Sequence, residues 1–406
     1  MSYAQHLAHG LRGHLRWLLS RYARICERLR HLFGKPNWLQ TGPTGVVFWF
    51  ALISLISVEA ASAERAPGTI RPGGVEREFQ RPPEPKASPE PLVPAIPEEV
   101  APAEAEQIEF TLQRIEFDGA TVFQDVEFRS FYESFLDQRV TLAQIYGVAD
   151  AITAQYRNAG YILSQAVVPA QKIRDGIVHL KVIEGYVAEV WLEGEIKGSR
   201  SLLDAYSIKI TKSRPLRADD LERYLLLMND LGGVVARATL ASSESEAGAS
   251  DLTVYFTHNN AEATLTANNR GSRFLGRYRA ELDVELHSLF GAYETARLFG
   301  VATTADDELL YLASSYEHPV GTEGGALNLF AGYVDSNPGP GAALAAQQFV
   351  TNSIDLAIGG FYPVVRTRAQ NFYVRGNFTY YNADSDFENV SVFRDRIRAV
   401  RIGATY

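Results

Sequence analysis

The sequence predicts an α+β fold built from two units of the order β-α-α-β-β, followed by an antiparallel transmembrane β-barrel that is incomplete in this chain. Three observations lead to this prediction. The N-terminal region has the pattern of an export signal, residues 108–260 contain a weak internal repeat, and residues 261–406 alternate between apolar and polar side chains. The formal net charge is −9, and no basic cluster with interleaved aromatic residues follows residue 68, so nothing points to a nucleic-acid partner.

Residues 1–63 are predicted to be an extended signal peptide. Seven Lys or Arg residues stand against one acidic residue in positions 1–44, and residues 46–58 carry no charge. Ala61 and Ala63 then form an Ala-x-Ala cleavage pattern. The apolar stretch is short for a transmembrane helix. Cleavage after Ala63 leaves a mature protein without cysteine, because Cys26 is the one cysteine of the chain.

The basic part of this signal is unusually long, and its apolar residues recur at steps of three and four. One interpretation is an amphipathic helix that lies at a membrane surface. The favoured interpretation is an extended targeting region that is discarded, or a start codon assigned too far upstream. Residues 64–107 are predicted to hold a short helix at 72–81 and a linker, because ten of the eighteen prolines lie between Pro67 and Pro102.

The repeat has a constant offset. The segment LQRIEFDG ends at Gly119 and VAEVWLEG ends at Gly194, and 194 − 119 = 75. Helical apolar periodicity occurs at 141–160 and again at 216–233, and both segments end near a glycine. We therefore predict two units, at 108–185 and 186–260.

In the first unit, residues 160–185 are expected to form a closing hairpin. Its strands are predicted at 161–168 and 176–183, and their partner strand is predicted at 110–117. Helices are expected to cover one face of this sheet.

After residue 260 the sequence alternates with a period of two. In the segment YRAELDVELHSLF, one set of alternate positions is almost entirely apolar and the other is polar except for Leu289. We count about eight strands, near 261–269, 275–289, 293–303, 308–317, 326–335, 347–360, 367–381 and 394–406. Strands of this length exceed the roughly 5–6 residues of sandwich strands and suit a membrane barrel, although a secreted sandwich remains the alternative.

The polar set of the second strand gives candidate pore-lining residues: Arg279, Glu281, Asp283 and Glu285. The alternative for these residues is an ordinary solvated face. Phe274, Tyr293, Phe361 and Tyr362 are candidates for the aromatic residues that flank a transmembrane band, although aromatic residues are common in strands generally.

Three segments carry a resemblance to a known family: YRNAGYILSQAVVPAQKIRDGIVHLKVIEGYV at 156–187, NNRGSRFLGRYRAELDVELHSLFG at 268–291, and FYPVVRTRAQNFYV at 361–374. They resemble the outer-membrane transporters of two-partner secretion, the hemolysin and filamentous-hemagglutinin secretion-activation proteins. The resemblance runs from about residue 72 to residue 406. It implies a signal peptide, a helix, a linker, two polypeptide-transport-associated (POTRA) domains in the periplasm, and a sixteen-stranded barrel in the bacterial outer membrane.

The resemblance is incomplete in its last part. The Val-Arg-Gly-Tyr loop of the family is not identified, since the VRGN at 374–377 lies within a predicted strand of the first half of the barrel. The closing strands are not identified either. The sequence therefore resembles a transporter truncated at about mid-barrel.

The resemblance implies that the POTRA domains bind an unfolded exoprotein, hemagglutinin-like or hemolysin-like with an N-terminal secretion domain, and pass it to the barrel. The strand after the second helix of each unit is expected to be a sheet edge, to which an extended client can add. The client-binding residues predicted for the first unit are Tyr161, Ile162, Leu163, Ser164, Gln165, Ala166, Val167 and Val168 on this edge, with Gln155 on the flanking helix. The simpler alternative is that Ile162, Leu163, Val167 and Val168 are core residues.

Outer-membrane lipid is expected around the barrel, and no nucleotide or other cofactor is expected. A barrel-assembly factor of the same superfamily and a truncated, non-transporting remnant remain alternatives. An enzyme is not expected, because the histidines outside the predicted signal region (His179, His258, His287 and His318) show no metal-ligand spacing and no nucleophile motif is present.

Overall fold

The computed structural model describes residues 103–243, 246, 248–272, 275–303, 308–337, 350–388 and 390–406. The predicted cleavage site at Ala61 and Ala63, the predicted helix at 72–81, most of the linker, and Phe274 lie outside the described residues. Within this part of the chain, no helix combines the length and the apolar character that crossing a membrane requires.

The first unit contains a three-stranded sheet with the order β2-β5-β4, in which β2 runs parallel to β5 and β4 runs antiparallel to it. Its elements are β1 (Glu109–Thr111), β2 (Arg114–Asp118), α1 (Asp125–Phe128), β3 (Arg139–Thr141), α2 (Leu142–Asn158), β4 (Gln165–Val167) and β5 (Ile177–Ile183). Strands β1 and β3 form a separate two-stranded pair. Two short 3-10 turns follow α1.

Helix α2 begins at a capping box. The amide of Gln144 donates to Thr141 Oγ1 over 3.3 Å, and Gln144 Oε1 accepts from the amide of Thr141 over 2.8 Å. The buried face of the helix carries Ile145, Val148, Ala149, Ile152 and Tyr156. This face packs on the sheet and forms the core of the first unit. The helix ends just before Gly160, whose φ of +89° suits a glycine at a helix C-terminus.

The second unit has the element order β-α-α-β-β, without counterparts of β1 and β3, and the sheet order β6-β8-β7. Its elements are β6 (Tyr186–Gly194), α3 (Arg200–Lys212), α4 (Ala218–Asp230), β7 (Val234–Ser242) and β8 (Ala249–His258). Strand β7 alternates buried and exposed residues, since its inward side chains lie under α3 and α4. Strands β4 and β7 are therefore the corresponding edges of the two units.

The remainder of the described chain is an eight-stranded antiparallel sheet in sequence order, with β9 and β16 at its edges. Its strands are β9 (Ala261–Asn268), β10 (Arg279–His287), β11 (Thr295–Thr303), β12 (Leu309–Val320), β13 (Gly325–Ser336), β14 (Val350–Arg366), β15 (Asn371–Phe387) and β16 (Val390–Thr405). Among the described residues β9 and β16 are not paired with each other, so the sheet is not closed.

The register of the sheet separates two faces. The apolar face carries large hydrophobic side chains that are 41–76 % exposed: Leu265, Leu282, Leu298, Leu312, Leu329, Ile358, Phe378 and Val400. The polar face carries most of the charged side chains: Glu262, Glu281, Asp283, Glu285, Arg297, Glu317, Arg375 and Arg401. An exposed apolar face opposite a charged face is the arrangement of a strand layer between lipid and an aqueous lumen.

Candidate functional site

The predicted docking edge of the first unit is much shorter than the sequence suggested. Strand β4 contains only Gln165–Val167, and residues 161–164 form turns instead. The amide of Tyr161 donates to the carbonyl of Tyr156 over 2.9 Å, and the amide of Ser164 donates to the carbonyl of Tyr161 over 3.1 Å. The chain therefore leaves α2 through successive turns before it becomes extended.

The outward backbone of this edge already has a partner within the first unit. The amide of Ala166 donates to Thr153 Oγ1 over 2.9 Å, and the Thr153 hydroxyl donates to the carbonyl of Ala149 over 2.9 Å. Ala166 lies opposite Val182, and its amide points away from β5. A client strand would have to displace the Thr153 hydroxyl before it could pair with this amide.

The residues predicted to bind a client are largely buried. Leu163, Ser164, Ala166 and Val168 are between 0 % and 8 % exposed. Leu163 belongs to the core of the second unit, whereas Ala166 and Val168 belong to the core of the first. The remaining members of the set are partly buried: Tyr161, Ile162, Gln165, Val167 and Gln155. Core packing accounts for the apolar members other than Val167, which belongs to neither core, and client binding stays a prediction.

The segment before β4 joins the two units. Ile162 packs against the second core beside Leu163. A Cβ at Gly185 would lie 2.3 Å from the carbonyl oxygen of Leu163, so only glycine allows this close approach. The amides of Leu216 and Ala218 donate to the carbonyls of Gly185 and Gly160, over 2.9 Å and 2.8 Å.

Glu184 ties three parts of the first unit together. Its carboxylate accepts hydrogen bonds from the amides of Thr121 and Val122 over 2.7 Å and 2.8 Å, from the hydroxyl of Thr121, and from the hydroxyl of Tyr156 over 2.7 Å. Burial alone would raise the pKa of Glu184, but these hydrogen bonds outweigh it and hold the pKa below its ordinary value.

We expect this carboxylate to make the first unit acid-sensitive. Because the folded pKa is lowered, the stabilisation is fully present above the unfolded pKa of about 4.3 and is lost as the pH falls through the folded pKa. Glu184→Gln should lower the free energy of unfolding at pH 7 and lessen its acid dependence. Urea unfolding at pH 7 and in the acid range measures both, with the exposed Glu193→Gln as control. An unchanged acid dependence in Glu184→Gln would contradict this role.

The second unit has a longer edge, formed by the strand that the sequence predicts to be an edge but for which the sequence analysis names no client-binding residues. Asn229, 7 % exposed on α4, accepts from the amide of Ala236 over 2.9 Å and donates to its carbonyl over 3.0 Å. Strand β7 pairs with β8 without a register shift, so the amide and carbonyl groups of every second residue point away from β8. Ala238 and Leu240 therefore have the same outward backbone orientation as Ala236. The repeat contained the signal for this edge, because the offset of 75 carries residues 161–168 onto residues 236–243.

The second unit also contacts three turns at one end of the eight-stranded sheet. We name residues 288–294, 321–324 and 367–370 the proximal turns. Tyr293 of the first turn is 2 % exposed and lies in the core of the second unit. The amide of Gly232 donates to the carbonyl of Tyr293 over 3.1 Å. The expectation that Tyr293 flanks a transmembrane band is therefore wrong, because its ring packs inside the second unit.

Ionic contacts hold the other two proximal turns. Glu323 accepts from Lys209 Nζ over 2.6 Å and from Arg223 Nη2 over 3.5 Å. Arg366, at the end of β14, donates to both carboxylate oxygens of Asp230 over 2.7 Å each. The amide of Arg368 donates to Glu222 Oε1 over 2.5 Å. Helices α3 and α4 therefore contact the end of the sheet at which the proximal turns lie.

The structure brings the four predicted pore-lining residues together on the polar face of β10. Glu281 accepts from Asn268 Nδ2 over 2.9 Å, and Arg279 is 4 % exposed. Arg297 on β11 donates to both oxygens of Asp283 and lies 3.5 Å from Glu285 Oε1. The charged side chains of this face are therefore paired with one another across neighbouring strands. That these residues line a pore stays a prediction.

The other two aromatic candidates lie on opposite faces. Phe361 is on the polar face, with its ring centroid 5.8 Å from that of Tyr373. Tyr362 is on the apolar face and is 46 % exposed. Only Tyr362 thus has the orientation expected of a residue at a lipid boundary. In the described part of the chain, no group of three His, Cys, Asp or Glu residues is arranged to hold a metal ion.

Comparison with known proteins adds the evolutionary context. Residues 110–185 match the family described as "POTRA domain, ShlB-type". The heme/hemopexin transporter protein HuxB of Haemophilus influenzae (strain 86-028NP) is 25 % identical over 166 residues, which cover 41 % of this chain and 29 % of HuxB. The outer membrane transporter CdiB of Escherichia coli O6:K15:H31 (strain 536 / UPEC) is 31 % identical over 93 residues, which cover 23 % of this chain and 16 % of CdiB.

The solved structure of CdiB from Escherichia coli matches the fold with a TM-score of 0.59 at 17 % identity, covering 78 % of this chain and 58 % of that chain. The predicted fold class, a POTRA-type α+β region followed by the strands of an incomplete antiparallel barrel, is confirmed. The chain belongs to the outer membrane, with its POTRA region in the periplasm. The chain is thus a homologue of the transporters HuxB and CdiB with a ShlB-type POTRA domain at residues 110–185, in agreement with its resemblance to the two-partner secretion transporters.

Proposed function

We propose that this chain takes part in two-partner secretion, binding an unfolded exoprotein in the periplasm and passing it along the polar face of the sheet across the outer membrane. The observation that carries this proposal is the junction. Contacts from α3 and α4 to the proximal turns fix the second unit at one end of the sheet, beside its charged face. A polypeptide bound to the second unit would therefore be held near the entrance of a polar path.

The geometry favours β7 of the second unit as the docking edge. In the first unit, the outward amide of Ala166 is bonded to Thr153, and β4 is three residues long. In the second unit, β7 has nine residues. Asn229 is hydrogen-bonded to the outward backbone groups of Ala236 but not to those of Ala238 or Leu240. The backbones of Ala238 and Leu240 can pair with an extended client, while its side chains lie alongside α4.

Transport along this path is expected to need no nucleotide. The exoprotein would enter as an extended chain, and the carboxylates and guanidinium groups of the polar face would hold water around it. Folding of the client on the outer side would then oppose its return. The client is defined here by its chemistry, as an unfolded polypeptide with an extended amphipathic segment.

The experiment tests both export and the docking edge in the cells that make this chain. Deleting the gene should leave one secreted polypeptide in the periplasm and remove it from the medium. Ala238→Pro removes an outward amide donor without breaking the ladder to β8, and should reduce export of the same polypeptide at least several-fold. A photo-crosslinker at Thr239, exposed on β7, should capture that polypeptide, whereas one at Glu193 on the opposite edge strand should not.

The first unit supplies the comparison. A crosslinker at Val167 should give little adduct in the unaltered chain and more in Thr153→Val, which leaves the amide of Ala166 without its acceptor. If deletion leaves the medium unchanged, the secretion proposal fails. A second outcome separates the two parts of the proposal. If deletion stops export, but Ala238→Pro exports normally and a crosslinker at Thr239 captures no polypeptide, the secretion proposal stands and β7 is rejected as the docking edge.

A further inference from the structure

Within the residues that the structure describes, the sheet of the second unit has one face that no helix covers. Helices α3 and α4 pack on the other face, which contributes Ala236, Leu252 and Val254 to the core. On the uncovered face, Trp191 of β6 is 54 % exposed and Tyr255 of the neighbouring strand β8 is 46 % exposed. Adjacent exposed aromatic side chains are typical of surfaces that bind a partner. We name this side of the sheet the open face.

The strand register defines the composition of the open face. Its successive rungs hold Glu189 and Asp251, then Trp191, Thr253 and Thr239, then Glu193, Tyr255 and Arg237. Trp191 therefore lies between two glutamates, because Glu189 and Glu193 are two residues before and after it on β6 and point to the same side. Three carboxylates stand against one guanidinium group, so the open face carries an excess of negative charge.

The charged groups of the open face have no partner within the described part of the chain. None of them forms a hydrogen bond or an ion pair with another described side chain. The first unit provides a comparison, since the offset of 75 carries Glu116 onto Trp191. There, Glu116 pairs with Arg114 and lies 3.3 Å from His179 Nδ1. The first unit thus balances charge within its own sheet face, whereas the second unit presents an aromatic ring and unpaired carboxylates in the same place.

We propose that the open face binds a polypeptide segment that carries lysine or arginine side chains. A cation over the ring of Trp191 is attracted by the negative face of the aromatic system. Glu189 and Glu193 flank that position and can accept charge-assisted hydrogen bonds from the same cation or from the next one along the segment. A neutral partner such as a glycan could stack on the rings, but it would leave the excess negative charge uncompensated. Charge complementarity therefore favours the basic polypeptide.

This inference is independent of the proposed secretion. The basic polypeptide is a partner other than the exoprotein, which docks at the edge of β7, so the two proposals fail separately. The test uses the full chain purified from outer membranes in a neutral detergent, at low ionic strength. Trp191 is the one tryptophan of residues 64–406, because the other three lie in the predicted signal peptide. Its fluorescence reports on the open face, and Trp191→Phe shows which part of the emission comes from this residue.

The probe is an octapeptide of alternating lysine and serine. It should change the emission of Trp191, with an affinity that falls as salt is added. The double variant Glu189→Gln, Glu193→Gln should bind it roughly fivefold more weakly, because two exposed ion pairs are lost. Arg237→Gln removes the repelling charge and should bind it roughly twofold more tightly. Asp118→Asn, at the position of the first unit that matches Glu193, is the control and should bind it normally.

Three further probes decide between the alternative occupants: the same octapeptide with glutamate in place of lysine, spermidine, and a tetramer of N-acetylglucosamine. Tightest binding of the lysine peptide, weakened in the double variant and kept in Asp118→Asn, supports the proposal. Equal binding of the glutamate peptide, or equal affinity in the double variant, overturns it. Spermidine binding as tight as that of the lysine peptide would indicate a site for small cations, and tighter binding of the sugar tetramer would indicate a glycan surface. Both results overturn the proposal. If the double variant does not fold, Arg237→Gln makes the same comparison with the opposite sign.

Discussion

Replacing Tyr293 by Ala is expected to separate the second unit from the eight-stranded sheet. The side chain is 2 % exposed in the core of the second unit, and a Cβ at Gly198 would lie 2.6 Å from the ring. Truncation of a large buried aromatic side chain costs about 3–5 kcal/mol. Amide hydrogen exchange of the full chain measures the effect, because the amide of Gly232 donates to the carbonyl of Tyr293 and should lose protection.

The backbone of Tyr293 allows a sharper comparison. Its φ is +57°, a left-handed conformation that usually selects Gly or Asn. Tyr293→Gly should therefore remove the ring but also relieve part of the backbone strain. Its loss in free energy of unfolding should be smaller than the size of the ring alone predicts. Tyr293→Phe keeps the ring and should stay within about 1.5 kcal/mol. Leu289→Ala, 53 % exposed in the same turn, should have little effect. Normal protection in Tyr293→Ala would show that the ring does not hold the junction.

The strands of the sheet could be predicted because each strand has one apolar face, which produces an alternating pattern within its own sequence. Alternation in β10 specifies which residues lie together whatever the partner strand is, and Glu281, Asp283 and Glu285 do share one face. Strand ends were less predictable. The sequence suggested an end near residue 360 before Pro363, but β14 continues to Arg366 through a register shift between Pro363 and Val365. A bulge accommodates the missing amide of proline, and sequence alone does not show it.

The far end of β15 differs for another reason. The segment NADSDF at 382–387 has the composition of a turn, yet it belongs to the strand. Asp384 and Asn382 bind arginines of β16, so cross-strand contacts stabilise residues that have low strand propensity. Such contacts depend on a register that is fixed only once both strands have formed.

The candidate site was the least predictable part. The apolar pattern at 161–168 indicated a strand, but Leu163 packs into the second unit and Thr153 covers the outward amide of Ala166. Both contacts depend on how α2 and the second unit lie in space. The sequence likewise predicts Tyr293 at a membrane boundary, because an aromatic residue near a strand end has the same local pattern whether it contacts lipid or a neighbouring domain.

Replacing Asp230 by Ala is expected to weaken the same junction by a different mechanism. The Arg366 side chain is 3 % exposed, and Asp230 is its carboxylate partner, with two contacts of 2.7 Å. Asn371 Oδ1 accepts a third hydrogen bond over 3.0 Å. Removal of Asp230 leaves a buried guanidinium without charge compensation, which costs about 3–5 kcal/mol. Because Asp230 is 29 % exposed, water can reach the pair and the lower end of this range is expected. Urea unfolding of the full chain in detergent measures the loss.

The double variant Asp230→Ala, Arg366→Met separates this mechanism from simple loss of a contact. If the cost comes from the uncompensated charge, removing the guanidinium as well should restore part of the stability, and the two substitutions should not add. Glu323→Gln is the matched control at the second proximal turn. Its partners Lys209 and Arg223 are 41 % and 18 % exposed, so the expected loss is at most about 1 kcal/mol. Additive losses in the double variant would mean that Asp230 acts through packing at the end of α4, and the junction would then depend on Tyr293 more than on charge.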